Sequence, residues 1–360
     1  MTTGWDSHNY LTLVLDGNGF LHLSGDMHCT PLTYFRSSKP HDIASLERID
    51  RMTGEQEKRT TYPKFLSGPD DKLIFTYRDG GSGNGNQIFN VYDLEQKKWS
   101  RLLDDPLTDG ENKRNAYFHG PILGPDGWFH LAWVWRETPD SVTNHSLSYA
   151  RSRDLRHWEN AQGNQLTLPI RLDNNAIVAP GPQKGGLING NTTIGFDHQQ
   201  RVIISYHKHD SAGNTQPWNA RLETGRWKFY QPADWPVRWE FEGMGSIPFA
   251  IRLAPVNSEQ DGRLTQSWRH FKFGKGTWLL DPKTLAVRAT LNQPNTPPTL
   301  GRVEGAYPGL KVNLLPDSGK SDTPNLRYML RWETLGTNRD LPRQGNLPPA
   351  SMLRLISLKE

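Results

Sequence analysis

Residues Gly124–Arg136 read GPDGWFHLAWVWR. A Pro-Asp-Gly turn feeds an alternating strand, and a charged residue ends it. One such unit predicts only half a hairpin. The same form recurs in LDGNGFLHLSGD (Leu15–Asp26), GPDDKLIFTYRDG (Gly68–Gly80) and FDHQQRVIISYHKHD (Phe196–Asp210). A second strand follows each unit: PLTYFRS, NQIFNVYD, SLSYARS and WNARLE. Three of the units then run to a tryptophan, Trp99, Trp158 or Trp227. The turns start roughly 50–70 residues apart, the length of a four-stranded propeller blade with variable loops.

Dividing the 360 residues by about 50 predicts an all-β, seven-bladed β-propeller, one domain over residues 1–360. Gly262–Asp281 has the form of a fifth unit. Tyr328–Leu335 and Ser351–Leu358 are expected to supply the last strands and to close the ring with an N-terminal strand, which removes exposed sheet edges. The stretch NQPNTPPTLG (Asn292–Gly301) is expected to be a loop. SRDLRHW (Ser152–Trp158) is a loose Asp-box, a self-bonded turn capped by an aromatic residue, and its role is structural.

Composition agrees. A chain that is 35% hydrophobic with 33 Gly, 26 Pro and 13 Trp suits turns and strands, and does not suit a helical bundle. No apolar run approaches the roughly 20 residues of a spanning helix, so no membrane partner is expected. The single cysteine, Cys29, excludes an intramolecular disulfide and is expected to be a small buried side chain. Net charge is +4 without a Lys/Arg block. Nucleic acid is therefore not the expected partner, whereas a mildly basic cleft would attract a polyanion such as an acidic polysaccharide. The start, MTTGWDSHNYLTLVLDG, lacks the basic region of a signal peptide. Residence inside the cell, or a chain that begins after a removed signal, are both consistent with that.

In a propeller, loops on one face converge over the central channel, so residues from distant blades meet there. Four candidates follow. His119, in YFHG, precedes the inner strand of its blade, and His145, in TNHSLSYARS, enters the second strand. Tyr206, in VIISYHKHD, ends the inner strand of the next blade, and Arg221, in WNARLE, lies on that blade's second strand. Singly, each fits a structural role more readily: a hydrogen-bonded histidine, a packing tyrosine, an ion-paired arginine. Their combination on neighbouring blades is what suggests chemistry. Tyr77, Arg78, Asn90, Asn144, His207 and Arg331 form a second tier that could hold a sugar by stacking and hydrogen bonds. HKHD (His207–Asp210) and GDMHC (Gly25–Cys29) have metal-like spacing, with a structural ion as the minority reading. The glycines of DGGSGNGN do not make a phosphate loop, because no helix is expected after them.

Six phrases together carry a resemblance: SGDMHCTPLTYFRS (Ser24–Ser37), FTYRDGGSGNGNQ (Phe75–Gln87), YFHGPILGPDGWFHLAW (Tyr117–Trp133), NHSLSYARSRDLRHW (Asn144–Trp158), ISYHKHDSAGNTQPWNARL (Ile204–Leu222) and YMLRWETLGTNRD (Tyr328–Asp340). They resemble the BNR-repeat propeller polysaccharide lyases, the ulvan lyases and rhamnose–glucuronate lyases. The resemblance implies β-elimination at a rhamnosyl-(1,4)-glucuronate or iduronate linkage, in ulvan or rhamnose-capped arabinogalactan. It implies action on an acidic polysaccharide without a required cofactor, secreted or periplasmic, and it assigns catalysis to His119, His145, Tyr206 and Arg221. A monomer is expected, though no residue pattern reads out the oligomeric state. The residue types suit that reaction. The C5 proton of a uronate is barely acidic beside an ionised carboxylate, so a permanent cation such as Arg221 is needed to neutralise it. His119 as base and Tyr206 as acid is the favoured assignment, with Tyr206 in both roles as the alternative, and His145 orients them or binds the carboxylate. Two alternatives stand beside this reading. A sialidase-type hydrolase would use Arg36, Arg78, Arg221 and Arg331 with Tyr328 as nucleophile, but no carboxylate recurs at a matching position. A non-catalytic glycan-binding propeller is the other.

Overall fold

The computed structural model describes residues 5–174, 176–291, 299–316, 323 and 326–359. Among them, six antiparallel sheets follow one another along the chain. Blade 1 holds Leu11–Leu15, Leu21–Gly25, Tyr34–Ser37 and Leu46–Ile49. Blade 2 holds Thr60–Ser67, Leu73–Gly81, Asn84–Asp93 and Lys98–Arg101, with His28–Thr30 and Thr108–Asp109 added at its sides. Blade 3 holds Asn115–Leu123, Phe129–Arg136, Asn144–Ser152 and Trp158–Glu159, and Ile177–Ala179 joins it. Blade 4 holds Thr193–Phe196, Val202–His209, Thr215–Glu223 and Arg226–Tyr230. Blade 5 holds Ile251–Ser258, Leu264–His270, Gly274–Leu280 and Val287–Leu291. Blade 6 holds Leu310–Pro316, Leu326–Leu335 and Arg354–Lys359.

The all-β propeller is as expected, but the described residues form six blades, not seven. Division by a mean blade length overcounts because residues 231–250 and 336–353 contribute no blade strand. The N-terminal strand Leu11–Leu15 pairs within blade 1 and does not complete the last sheet. Residues 292–298 of the expected loop lie outside the described residues.

The repeated turns are cemented alike. In blade 1 the turn carboxylate of Asp16 meets His22 Nε2 at 3.2 Å, and His22 Nδ1 meets the Tyr34 hydroxyl at 2.7 Å. In blade 3, Asp126, His130 and Tyr149 repeat this at 3.0 and 2.7 Å. The recurring tryptophans lock blade to blade. Trp99 of blade 2 donates its indole N–H to Tyr34 of blade 1 at 3.0 Å, and Trp227 of blade 4 stands 5.1 Å from the Tyr149 ring of blade 3. The Asp-box behaves as expected: Ser152 Oγ accepts from Leu155 N–H at 2.8 Å, Asp154 accepts from His157 N–H at 2.7 Å, and Trp158 is fully buried. Four apolar clusters fill the seams between blades 1 and 2, 2 and 3, 3 and 4, and 4 and 5.

The inner strand of each blade lies upstream of its turn, not downstream. Asn115–Leu123, which contains YFHGPIL, pairs with Phe129–Arg136 and faces the channel. Three of these inner strands shift register at an X-Pro step, Tyr62-Pro63, Gly120-Pro121 and Ala254-Pro255. Proline has no N–H to give a ladder, so it belongs on an edge strand or bulge. Edge strands are what surround the channel.

Candidate active site in the central channel

The channel encloses about 1870 Å³, beyond the roughly 300–1,000 Å³ of a small-ligand pocket and suited to a chain of sugars. Among the described residues its wall carries eight Lys or Arg residues, Lys64, Arg78, Arg136, Arg252, Arg269, Lys275, Lys311 and Arg343, against three carboxylates. Those three are occupied. Asp6 binds His8 and His28, Glu333 pairs with Arg331, and Asp340 accepts from Ser7 and Ser246. The wall is left with a surplus of positive charge.

Two of the cations are special. Arg78 and Arg136 are 1% and 6% exposed, and neither forms an ion pair among the described residues. Arg78 Nε donates to Gly80 O at 3.0 Å and one terminal nitrogen donates to the Tyr117 hydroxyl at 3.3 Å. Arg136 donates to Thr138 O at 3.1 Å, to Asn189 Oδ1 at 3.2 Å and to Pro139 O. Their guanidinium carbons lie 5.8 and 5.5 Å from the Tyr117 ring centre, close enough for cation–π attraction. Ser82 Oγ is 2.6 Å from the Tyr117 hydroxyl. Arg78 fits because Gly85 lacks a side chain: a Cβ there would stand 2.8 Å from Arg78 Cδ. Burying a cation without a counter-charge is expensive. Two side by side make a receptacle for an anion.

His119 is two residues from Tyr117 on the same strand, so both side chains leave one face and line the channel. Its ring is half-buried and makes no hydrogen bond among the described residues. Burial first, and the charge of Lys64 second, push its pKa down to about 4. At neutral pH it is an imidazole with a lone pair to offer.

Of the residues expected from sequence, His119 and Arg78 face the channel, and the others do not line it. Arg221 is on the third strand of blade 4. It is held by Glu223 at 2.7 Å, Asp197 at 3.5 Å and the Pro282 carbonyl of blade 5 at 2.7 Å. Its register position, opposite Ile203, matches Arg36 opposite His22 and Arg151 opposite His130. It is a repeat arginine that braces a blade seam. Tyr206 lies on the second strand, 1% exposed, in the apolar seam between blades 3 and 4, and its hydroxyl has no hydrogen bond among the described residues. His145 is tied to Glu137 at 2.7 Å, and Glu137 also takes Arg114 at 2.9 Å. Tyr77 and Asn90 are both bound by Arg101 inside blade 2. Asn144 accepts the Asn189 N–H at 3.2 Å, and so supports Arg136 indirectly. His207 is buried beside Trp239, its pKa pushed down to about 3 by burial, and Arg331 is spent on Glu333 and the Arg302 carbonyl. HKHD gathers no third ligand among the described residues. Tyr117, Arg136, Tyr62 and Lys64 were not singled out. The signal available for Tyr117 was its i, i+2 spacing from His119.

Comparison with known proteins follows from this geometry. Residues 1–235 match the profile of the BNR repeat-containing family. The chain belongs to this family. Among curated relatives, the short isoform of ulvan lyase from Alteromonas sp. (strain LOR) is 30% identical over 229 residues, covering 49% of this chain and 43% of that protein. The long isoform from Pseudoalteromonas sp. (strain PLSV) is 25% identical over 225 residues, covering 49% of this chain and 22% of its own. The chain thus spans less than half the length of these relatives. A solved PL25 ulvan lyase superposes with a TM-score of 0.62 at 13% identity, over 92% of this chain and 77% of that one. The polysaccharide lyase Uly1 superposes with a TM-score of 0.57 at 16% identity, over 98% of this chain and 78% of that one. At such identity the superpositions establish the shared propeller fold.

Proposed function

We propose that this BNR-repeat protein is a polysaccharide lyase that opens a uronate linkage by β-elimination. The observation that carries the proposal is the pair of buried, unpaired guanidinium groups, Arg78 and Arg136, flanking the Tyr117 hydroxyl beside His119. A uronate carboxylate between the two arginines would lose its electrostatic penalty against a second negative charge at C5. His119 would take the C5 proton. The freed electron pair forms C4=C5 as the C4–O4 bond breaks, and Tyr117 gives its proton to O4. Ser82 and Arg78 hold the phenolate oxygen until it is reprotonated, and solvent takes the proton from His119. These roles replace those of Arg221 and Tyr206, which brace blade seams.

The curated relatives are ulvan lyases, and one superposed PL25 structure is bound to -[GlcA(1-4)Rha3S]-. This supports a rhamnosyl-(1,4)-glucuronate or iduronate linkage, in ulvan or in rhamnose-capped arabinogalactan, as the substrate. The same reading puts the protein in the periplasm or outside the cell. The test is ultraviolet absorbance of the unsaturated uronate with ulvan and with gum arabic. The rise should appear with one of the polymers and vanish in His119→Ala. A flat trace with retained binding would instead favour a glycan-binding propeller.

A further inference from the structure

Outside the Tyr117–His119 group, a second polar cluster sits at the rim of the channel. Asp6 and His8 precede blade 1, and His28 opens the short strand that crosses from blade 1 onto blade 2. His8 Nδ1 and His28 Nδ1 each lie 2.6 Å from a different oxygen of Asp6, and the two rings stack at 3.8 Å. The donor atoms of these three residues all lie within 4.8 Å of one another. A fourth group points at them: Asp340 Oδ2, from the segment between the last two strands of blade 6, is buried without a hydrogen bond among the described residues and stands 3.6 Å from His8 Nδ1.

We propose that Asp6, His8, His28 and Asp340 form a divalent-cation site, of the zinc type. Two imidazole nitrogens and two carboxylate oxygens make a closed four-ligand set, with spacing close to that of donors sharing one ion at about 2.0–2.2 Å. The orphaned oxygen of Asp340 finds its partner in the ion. Support for the ligands is present: the Tyr62 hydroxyl lies 3.0 Å from His8 Nε2, and by accepting the N–H there it leaves the Nδ1 lone pair for the metal. Cys29 takes no part, since its Sγ faces the Gly80 carbonyl and Arg78. The ligands come from the start of the described chain, the crossing between blades 1 and 2, and blade 6. An ion among them staples the ring where its two ends meet.

The site is tested on the full chain, stripped with EDTA, dialysed against zinc and then freed of excess metal. Elemental analysis should find about one zinc per chain, and the melting temperature should be higher with zinc than with EDTA. His28→Gln and Asp340→Asn should lose the zinc and its thermal effect, whereas His157→Gln, at a distant exposed histidine, should keep both. The His28 side chain is 37% exposed, so His28→Gln is expected to fold, and circular dichroism checks that. A wild-type chain that retains no zinc, or a folded His28→Gln that retains as much, would overturn the proposal. Tighter binding of calcium than of zinc would overturn the choice of ion.

Discussion

Arg78 and Arg221 are equally buried, at 1% and 2% exposure, but differ in what surrounds their charge. Arg221 meets two carboxylates, and Arg78 meets none. Without Arg221, Asp197 would keep Arg201 and Glu223 would keep Lys228 and Tyr230, but the Pro282 and Lys283 carbonyls would lose their donor. Arg221→Ala should therefore lose about 1–3 kcal/mol in denaturant unfolding, while the folded fraction keeps its turnover. Arg78→Gln should do the reverse, abolishing turnover with little loss of stability. His119 makes a pH prediction. With a folded pKa of about 4, the base form persists well below neutrality, so the acid limb of kcat/KM should fall near pH 4 and not at the ordinary histidine value of roughly 6.5. Between those values the unfolded chain binds the extra proton, so stability should rise with pH across that window, and His119→Gln should flatten the rise in urea unfolding. The histidine was legible in the sequence because YFHG breaks an apolar pattern. The repeat position of Arg221 becomes legible only when Arg36 and Arg151 in neighbouring units are compared with it.

Hairpins were the legible elements. A Pro-Asp-Gly or Asp-Gly turn followed by period-two residues forms strand–turn–strand in blades 1 and 3, and Ile251–Ser258 with Leu264–His270, joined through Asp261-Gly262, follows that rule even in an irregular region. The inner strands were not legible. Their alternation is interrupted at Tyr62-Pro63, Gly120-Pro121 and Ala254-Pro255, where a bulge costs little because the strand edge faces the channel. That displaced the expected inner strand by one element and carried Tyr206 with it. The seams between elements depend on large aromatic residues from the outer strands. Trp158→Ala, at a fully buried position in the seam of blades 2 and 3, should cost about 3–5 kcal/mol, visible as a lower melting temperature.

At the scale of the whole molecule, the propeller class follows from repetition itself, since sheets with edges gain by stacking into a ring. The blade number did not, because spacing averages blades together with strand-free connections such as residues 231–250. The charge of the channel was visible only as a net +4. Folding concentrates it, placing eight basic groups around one cavity. Attraction of an acidic polymer to that wall is screened within about 8 Å at physiological ionic strength. KM should therefore rise steeply as salt increases, while kcat, which the proposed mechanism assigns to Tyr117 and His119 inside the site, should change less. A steady-state salt series checks this.

The central claim is elimination at the Tyr117–His119 site, and product mass tests it most directly. A short ulvan oligosaccharide of known mass would be digested by the wild-type protein and by Tyr117→Phe, and the fragments weighed. The account predicts two fragments whose masses sum to that of the substrate, with an unsaturated uronate on one, and a rate lower by about 10²–10⁴-fold in Tyr117→Phe. Fragments whose masses sum to substrate plus one water, or an unimpaired Tyr117→Phe, would contradict it.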